Sequence, residues 1–259
     1  MILKDKAVVI SGVGPGMGRK LALLVAAEGA KVAIGARSQE FLDALEKEIK
    51  DQGGEVVAVR TDVKSAADCQ ALVDAAVKAF GKIDGLVNSA YSIGRFELFE
   101  GGDLELWRDA MDVTCFGALR MAQAALPHLK KNGGSILNVG SMITRKPLPY
   151  QAAYQIGKAA LQAATKQLAV ELGQYNIRVN STIIGWMWGA SVEGYFQDQA
   201  KQTGTSVDDL VKERASHIAL ARIPPDDECA RAVLFFLSDY SSVVTGAMLD
   251  VNGGESVAP

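Results

Sequence analysis

Short runs of consecutive apolar residues recur along the chain, each followed by a longer stretch in which apolar and polar positions mix as they do on a helix. The first run, Ala7-Val8-Val9-Ile10, passes into Ser11-Gly12-Val13-Gly14-Pro15-Gly16-Met17-Gly18 and then an alanine- and leucine-rich stretch reaching Gly29. That order is strand, glycine turn, helix. Further apolar runs at 31–36, 55–60, 83–89, 135–141 and 177–183 repeat the pattern, and a last one lies at 247–251. Runs of this length, separated by helical segments of about 10 to 20 residues, predict parallel strands joined by crossover helices. The expected fold class is α/β, a doubly wound, mostly seven-stranded parallel sheet with helices on both faces.

The rhythm breaks between about 185 and 225, where Trp186, Trp188, Tyr195 and Phe196 stand beside polar helical sequence. An insertion after the sixth strand would lie beyond the carboxyl ends of the strands, where open sheets bind ligands. This segment is therefore expected to be a substrate lid. No linker or shift in composition divides the 259 residues, which reads as one domain over 1–259. With 49% hydrophobic and 22% charged residues the chain is ordinary for a soluble globular protein, and its net charge of −3 gives no general basis for nucleic-acid binding. No apolar run approaches the roughly 18 residues of a spanning helix, and Lys4, Asp5 and Lys6 lie too close to the first strand for a signal peptide. A cytoplasmic protein without a membrane partner is expected. Cys69, Cys115 and Cys229 form no C-x-x-C pair and read as buried thiols, while His128 and His217 are too isolated for a metal site. No metal is expected.

Glycines at the first strand-to-helix turn let the backbone approach a pyrophosphate, and the helix amino terminus offers free N–H donors. Gly12, Gly14, Gly16, Met17 and Gly18 are candidates for holding a dinucleotide, although Pro15 removes one donor. The second strand ends Gly35-Ala36-Arg37-Ser38, with no carboxylate before Glu40. An arginine at that place can form charge-assisted bonds to a 2′-phosphate. NADP(H) is thus the preferred cofactor, with NAD(H) possible.

Ser141 ends the 135–141 run, and Tyr154 and Lys158, four positions apart, share one face of a helix. A free phenol titrates near pH ~10, and a neighbouring ammonium would favour the phenolate and lower that value. The set predicts proton transfer to or from an oxygen, with Tyr154 as acid and base and Ser141 as hydrogen-bond donor to a developing alkoxide.

Taken together these residues resemble the short-chain dehydrogenase/reductase family, over nearly the whole chain, from Leu3 to about Gly254. Ser11-Gly12-x-x-x-Gly16-x-Gly18 is similar to its T-G-x-x-x-G-x-G loop, with serine for threonine. Asp62-Val63 matches the acidic residue that contacts adenine, and Asn88-Ser89-Ala90-Tyr91 takes the place of N-N-A-G beside the cofactor. Ser141, Tyr154 and Lys158 fall on the catalytic serine and the Y-x-x-x-K, with the tyrosine 13 positions after the serine. Val251-Asn252-Gly253-Gly254 resembles a closing V-D-G-G. The resemblance implies a Rossmann fold, a cofactor contacted by Asp62, Val63, Asn88, Ala90, Tyr154, Lys158 and Gly185, and a Lys158 that also reaches the nicotinamide ribose.

Three positions depart from the family pattern. Thr114, seven residues after Trp107, stands where the family's active-site asparagine bends a helix and holds a water in a proton relay, so Thr114 is counted with the catalytic set. Ile184 replaces the proline of the P-G before the nicotinamide and leaves Gly185 for close approach. Tyr91 replaces a glycine and would narrow the pocket. Residues expected by resemblance to face the substrate are Tyr91, Met142, Ile143, Tyr150, Gln151, Trp186 and Trp188. Being mostly large and apolar, they suit a bulky or cyclic ketone or secondary alcohol as the small-molecule partner. The helix at 151–172 carries more small residues than its own core needs, and with the family's habit this predicts a homotetramer. Reduction of a 3-oxoacyl group on a carrier protein ranks lower, because Arg120, Lys130, Lys131 and Arg145 are scattered. Enoyl reduction is disfavoured by the tyrosine-to-lysine spacing, which is wider in related enoyl reductases. A reading of another class is an NADP(H)-binding sensor or scaffold with weakened catalysis, motivated by Thr114 and Ile184.

Overall fold

A computed structural model describes residues 1–257. Seven strands, β1 (Ala7–Ser11), β2 (Lys31–Ala36), β3 (Val56–Arg60), β4 (Gly85–Asn88), β5 (Gly134–Ser141), β6 (Ile177–Ile184) and β7 (Met248–Val251), form one sheet in the order β3-β2-β1-β4-β5-β6-β7. All six pairings are parallel.

Alternation along the strands explains why the runs are continuously apolar. Val8 and Ile10 of β1, Val32 and Ile34 of β2, and Leu137 and Val139 of β5 enter one core. Their neighbours Val9, Ala33 and Ile136 enter the other. Both faces are covered, so neither set of alternate positions can be polar. The first core is closed by α1 (Met17–Ala27), α2 (Gln39–Asp51) and α9 (Asp226–Leu237), through residues such as Leu21, Leu45 and Val233. The second is closed by α3 (Ala66–Phe80), α5 (Gly117–Asn132) and α6 (Ala152–Leu172), through Leu72, Met121 and Leu172.

The strand order reverses direction between β1 and β4, and open sheets of this kind leave a crevice at the carboxyl ends of the strands at such a point. The first glycine turn, the loop after β4 and the end of β5 all converge there.

Several expected boundaries move. The run at 83–89 pairs over Gly85–Asn88 alone. Asp84, just before it, still bonds β1 and β5 through its backbone, and its carboxylate accepts from the Ala7 amide at 2.7 Å. Ala247 falls outside β7 because its amide donates to the Asn180 side chain at 3.0 Å. Between α4 (Leu104–Met111) and α5 the helix widens into a π-turn at Asp112–Phe116, a feature absent from the sequence reading. The 185–225 segment holds two helices, α7 (Ala190–Thr203) and α8 (Val207–Ser216). Among the described residues, no helix is long and apolar enough to cross a membrane, no cluster of metal-binding side chains occurs, and the three cysteines are free and buried.

Candidate active site

The glycine turn follows directly from β1. Gly12 has φ +83°, and a Cβ there would come within 2.2 Å of the Ala90 amide nitrogen, so the loop after β4 lies where a side chain would project. The Gly12 amide donates to the Gly35 carbonyl at 2.8 Å, which ties the turn to β2. Gly14 and Gly16 face open space: a Cβ at either would meet nothing within 4 Å. Gly16 caps α1 without a side-chain bond, and the Arg19 amide is taken up by the Gly14 carbonyl at 3.0 Å, which leaves the Met17 and Gly18 amides for a ligand. Met17 itself is buried in the core below, so only its backbone is placed to serve the turn. Gly18 is a packing glycine, since its Cβ would meet the Gly12 carbonyl oxygen at 2.8 Å.

A cleft of about 570 Å³ opens beside this turn. Its walls bring together Gly12, Gly14, Arg37, Asp62, Val63, Ala90 and Tyr91 from four separate loops. Ser38, Lys64 and Ser92 also line it, although the sequence reading did not single them out. Arg37 is exposed and has no ion pair among the described residues. Ser38, next to it, caps α2 by accepting from the Phe41 amide at 3.3 Å, a pattern legible in Ser38-Gln39-Glu40-Phe41 as a helix start. A backbone cradle that a Cβ would fill, free helix amides and a cationic end to β2 together fit an adenine dinucleotide.

Asn88 sits beneath the cleft rather than in its wall. Its amide donates to the Asn138 side chain at 2.9 Å and to the Ala118 carbonyl at 3.3 Å, and its oxygen accepts from Ser11 at 3.3 Å. Asn138 continues to Thr165 of α6 at 2.9 Å. This buried polar chain stitches β1, β4, β5 and α6 together, with its hydrogen-bonding groups satisfied.

α6 carries the rest. Its buried positions Ala153, Gly157, Lys158, Leu161, Thr165 and Ala169 fall on one stripe, which turns Lys158 inwards instead of to solvent. Lys158 is 1% exposed and donates to the Val139 carbonyl at 2.5 Å. Burial pushes its ammonium down to about 7. Tyr154, one turn earlier, is half-buried with its ring centre 5.8 Å from the Lys158 Nζ. Burial pushes its phenol up to about 12; the hydrogen-bonded Ser141 hydroxyl pulls the other way, and the nearby Tyr91 phenol pushes up again. The expected lowering of the phenol by Lys158 is therefore not seen in the protein alone, where desolvation dominates both groups. Ser141 ends β5, and its oxygen also accepts from the Ile143 amide at 3.3 Å. The structure thus brings Ser141, Tyr154 and Lys158 together.

Thr114 is fully buried in the π-turn and points elsewhere. Its hydroxyl accepts from the Ser92 amide at 3.0 Å and lies 3.4 Å from the Ser92 carbonyl, to which it donates. Both bonds go to the loop after β4, not to Lys158. Its Cβ sits close over Gly157, where an added Cβ would approach to 3.2 Å.

The expected substrate residues divide. Tyr91 is 54% exposed and stacks at a tilt on Tyr154, with ring centres 5.7 Å apart. Tyr150 and Gln151 lie between Ser141 and Tyr154, with Tyr150 exposed and held at φ +69°, an uncommon conformation for a bulky residue. The Tyr150 carbonyl accepts from the Glu97 amide at 3.2 Å. Met142 and Ile143 are buried. Trp186 and Trp188 are half-buried and pack around Phe196, at 5.7 and 6.0 Å between ring centres, within a small cluster that also contains Ile218 and Ile223. Gly185 is needed for contact with the tail, since a Cβ there would meet Asn252 at 2.6 Å.

A family profile described as "Enoyl-(Acyl carrier protein) reductase" matches residues 12–256. A 3-oxoacyl-(acyl-carrier-protein) reductase of Thermotoga maritima is 34% identical over 260 residues, covering 98% of this chain and 99% of its own. A 2,5-dichloro-2,5-cyclohexadiene-1,4-diol dehydrogenase of Sphingobium indicum is 32% identical, covering 98% of both chains. Among solved structures, levodione reductase superposes with a TM-score of 0.90 at 28% identity over 99% of both chains. An NAD⁺-bound xylitol dehydrogenase gives a TM-score of 0.89 at 30% identity, covering 97% of this chain and 99% of that one. With a Rossmann sheet, a glycine turn at its switch point and full-length similarity to such proteins, the chain belongs to the short-chain dehydrogenase/reductase family, oxidoreductases that use NAD(P)(H) on alcohol and carbonyl groups.

Proposed function

We propose that the protein transfers hydride between NADP(H) and a bulky or cyclic, largely apolar ketone or secondary alcohol. The observation that carries this reading is that Ser141 at the end of β5, Tyr154 and the buried Lys158, whose Nζ lies 5.8 Å from the Tyr154 ring centre, are gathered next to a dinucleotide-shaped cleft. NADP(H), when bound, supplies or accepts the hydride. The turn around Gly14 and Gly16 would hold the pyrophosphate, Arg37 and Ser38 the 2′-phosphate, and Asp62 with Val63 the adenine.

Tyr154 keeps its proton through neutrality and can deliver it to a carbonyl oxygen, with Ser141 donating to the same oxygen as it gains charge. Lys158 sits near its protonation midpoint at neutral pH, so it can carry a positive charge toward the phenolate that results and then return a proton. In oxidation the same groups act in reverse. Tyr91 and Tyr150 present exposed rings around the reacting position, which favours an apolar, ring-sized substrate. α7 and α8, which follow β6 in the chain, would serve as a lid over the site. We read the whole described chain as a single catalytic domain.

Reduction of a carrier-bound 3-oxoacyl group is the second reading, supported by the name of the Thermotoga relative. Two basic residues on the loop after Ser141 are engaged within the chain: Arg145 pairs with Asp250 at 3.4 Å and Lys146 with Glu255 at 3.2 Å. Each would have to give up part of that pairing to meet an acidic carrier. Exposed apolar side chains on α6, Ile156 and Val170, support assembly as a homotetramer, which fits a cytoplasmic enzyme. A panel of cyclic and linear ketones and a 3-oxoacyl thioester, followed by NADPH absorbance, tests the proposal. Steady oxidation with a cyclic ketone supports it; turnover of the thioester alone, or tight NADPH binding with no turnover, overturns it.

A further inference from the structure

Glu255 lies just beyond the last strand, and its side chain is 1% exposed although the chain end around it is open. A carboxylate that deep needs compensating charge. It finds two cations from different parts of the fold. Lys146 Nζ, on the loop that follows Ser141, is 3.2 Å from its Oε1, and Arg214 of α8 is 3.5 Å from the same oxygen. Arg214 in turn lies over the Trp186 ring, 4.7 Å from its centre, where β6 leaves the sheet.

The tail that presents Glu255 is rigidly built. Asn252 is buried against Gly185, and its side chain accepts from the Gly254 amide and donates to the Ser256 carbonyl, each at 2.8 Å. Gly253 and Gly254 take φ +64° and +84°, and a Cβ on either would come within 2.7 Å of Ile218 or Ala219. The turn is thus wedged beneath the connection from α8 to α9, with the Leu220 amide bonded to the Gly253 carbonyl at 3.0 Å. One carboxylate, fixed to the sheet through Asn252, joins the lid helix to the loop between Ser141 and Tyr154.

We propose that Glu255 is a positioning residue that latches α8 to the Ser141 loop, setting how tightly substrate is held while taking no part in proton or hydride transfer. The inference rests on the proposed carbonyl chemistry for its kinetic readout, whereas its proteolytic readout is independent of any activity. Trypsin has exposed targets at Lys201 and Lys212 within the two lid helices.

Glu255→Gln keeps the shape and removes the charge. It is expected to speed tryptic cleavage after Lys201 and Lys212 about tenfold and to raise the KM for ketone by a similar factor. The kcat and the NADPH dissociation constant stay within about threefold, because the proton-transfer groups are untouched. Arg214→Gln gives the same direction, and the double variant is no worse than Glu255→Gln alone, as expected for one shared interaction. Unchanged cleavage in Glu255→Gln, fully additive effects in the double variant, or a fall in kcat at constant KM would overturn the latch. If Glu255→Gln does not fold, Lys146→Met and Arg214→Gln carry the same comparison on folded protein, and unchanged cleavage in both refutes it. A protein that reduces no ketone refutes the proposed reaction and leaves the proteolytic result to decide the latch.

Discussion

Lys158 approaches to 5.8 Å from the centre of the Tyr154 ring, yet donates its hydrogen bond to the Val139 carbonyl of β5. The ammonium is therefore anchored to the sheet by a backbone oxygen while it faces two phenols, those of Tyr154 and of Tyr91 at 5.5 Å. Its depth has a measurable consequence. The folded protein binds the Lys158 proton with a pKa of about 7, whereas an ordinary lysine titrates at 10.5. Between these values the unfolded chain holds a proton that the native protein has lost, so native stability rises with pH across that window. Below pH 7 the cost of the buried charge is felt in full.

Lys158→Met removes that cost. The variant is expected to be more stable than the parent by about 3 to 5 kcal/mol at pH 6, with the difference shrinking toward pH 10. Urea unfolding of both proteins from pH 6 to 10 measures it. A constant difference across that range would show that the ammonium is solvated in the native state.

Tyr154→Phe leaves the ring in place and removes the proton donor. Turnover is expected to fall by about 10³-fold or more with NADPH affinity nearly unchanged, because the cleft does not depend on the phenol oxygen. Ser141→Ala should cost on the order of 10²-fold as a lost donor to the alkoxide. Single-turnover kinetics with bound NADPH separate these losses from binding. Near-normal turnover in Tyr154→Phe would displace it from the mechanism.

The strands were legible because β1, β2 and β5 are covered on both faces, which forces continuous apolar runs, and the glycine turn because Gly12 admits no side chain against Ala90. The spacing of Ser141, Tyr154 and Lys158 was legible too, since helix periodicity alone puts the last two on one face. What escaped depended on contacts distant in sequence. The anchoring of Lys158 on Val139 spans 19 residues, and the packing of Trp186 and Trp188 on Phe196 depends on a residue eight to ten positions on. No local pattern distinguishes a tryptophan facing a ligand from one packing its own segment. The π-turn at Asp112–Phe116 likewise surrounds Thr114, which is bonded to Ser92 22 residues earlier.

That bond decides between two roles for Thr114. Its hydroxyl serves the Ser92 amide, so Thr114→Val leaves a buried donor unpaired and is expected to cost about 1 to 3 kcal/mol of stability. Turnover should stay within about tenfold, since the hydroxyl does not bond Lys158. Denaturant unfolding and kcat, measured on the same preparation, test both halves. A loss of about 10²-fold in kcat with stability unchanged would place Thr114 in the proton path after all.

Arg37 ends β2 at the wall of the cleft, exposed and without an ion pair among the described residues, so its full charge is available to a ligand. A 2′-phosphate meeting it gains charge-assisted hydrogen bonds worth about 1.5 to 3 kcal/mol, which the 2′-hydroxyl of NADH cannot match. The unmodified protein should therefore bind NADPH about 10- to 100-fold more tightly than NADH. Arg37→Ser should remove most of that margin by weakening NADPH while leaving NADH within about twofold, and added salt should erode the margin in the parent more than in the variant. Fluorescence titration of the two reduced cofactors at low and high ionic strength measures each term. Tighter NADH binding by the parent, or an Arg37→Ser variant that loses affinity equally for both, would assign the 2′ position to another group.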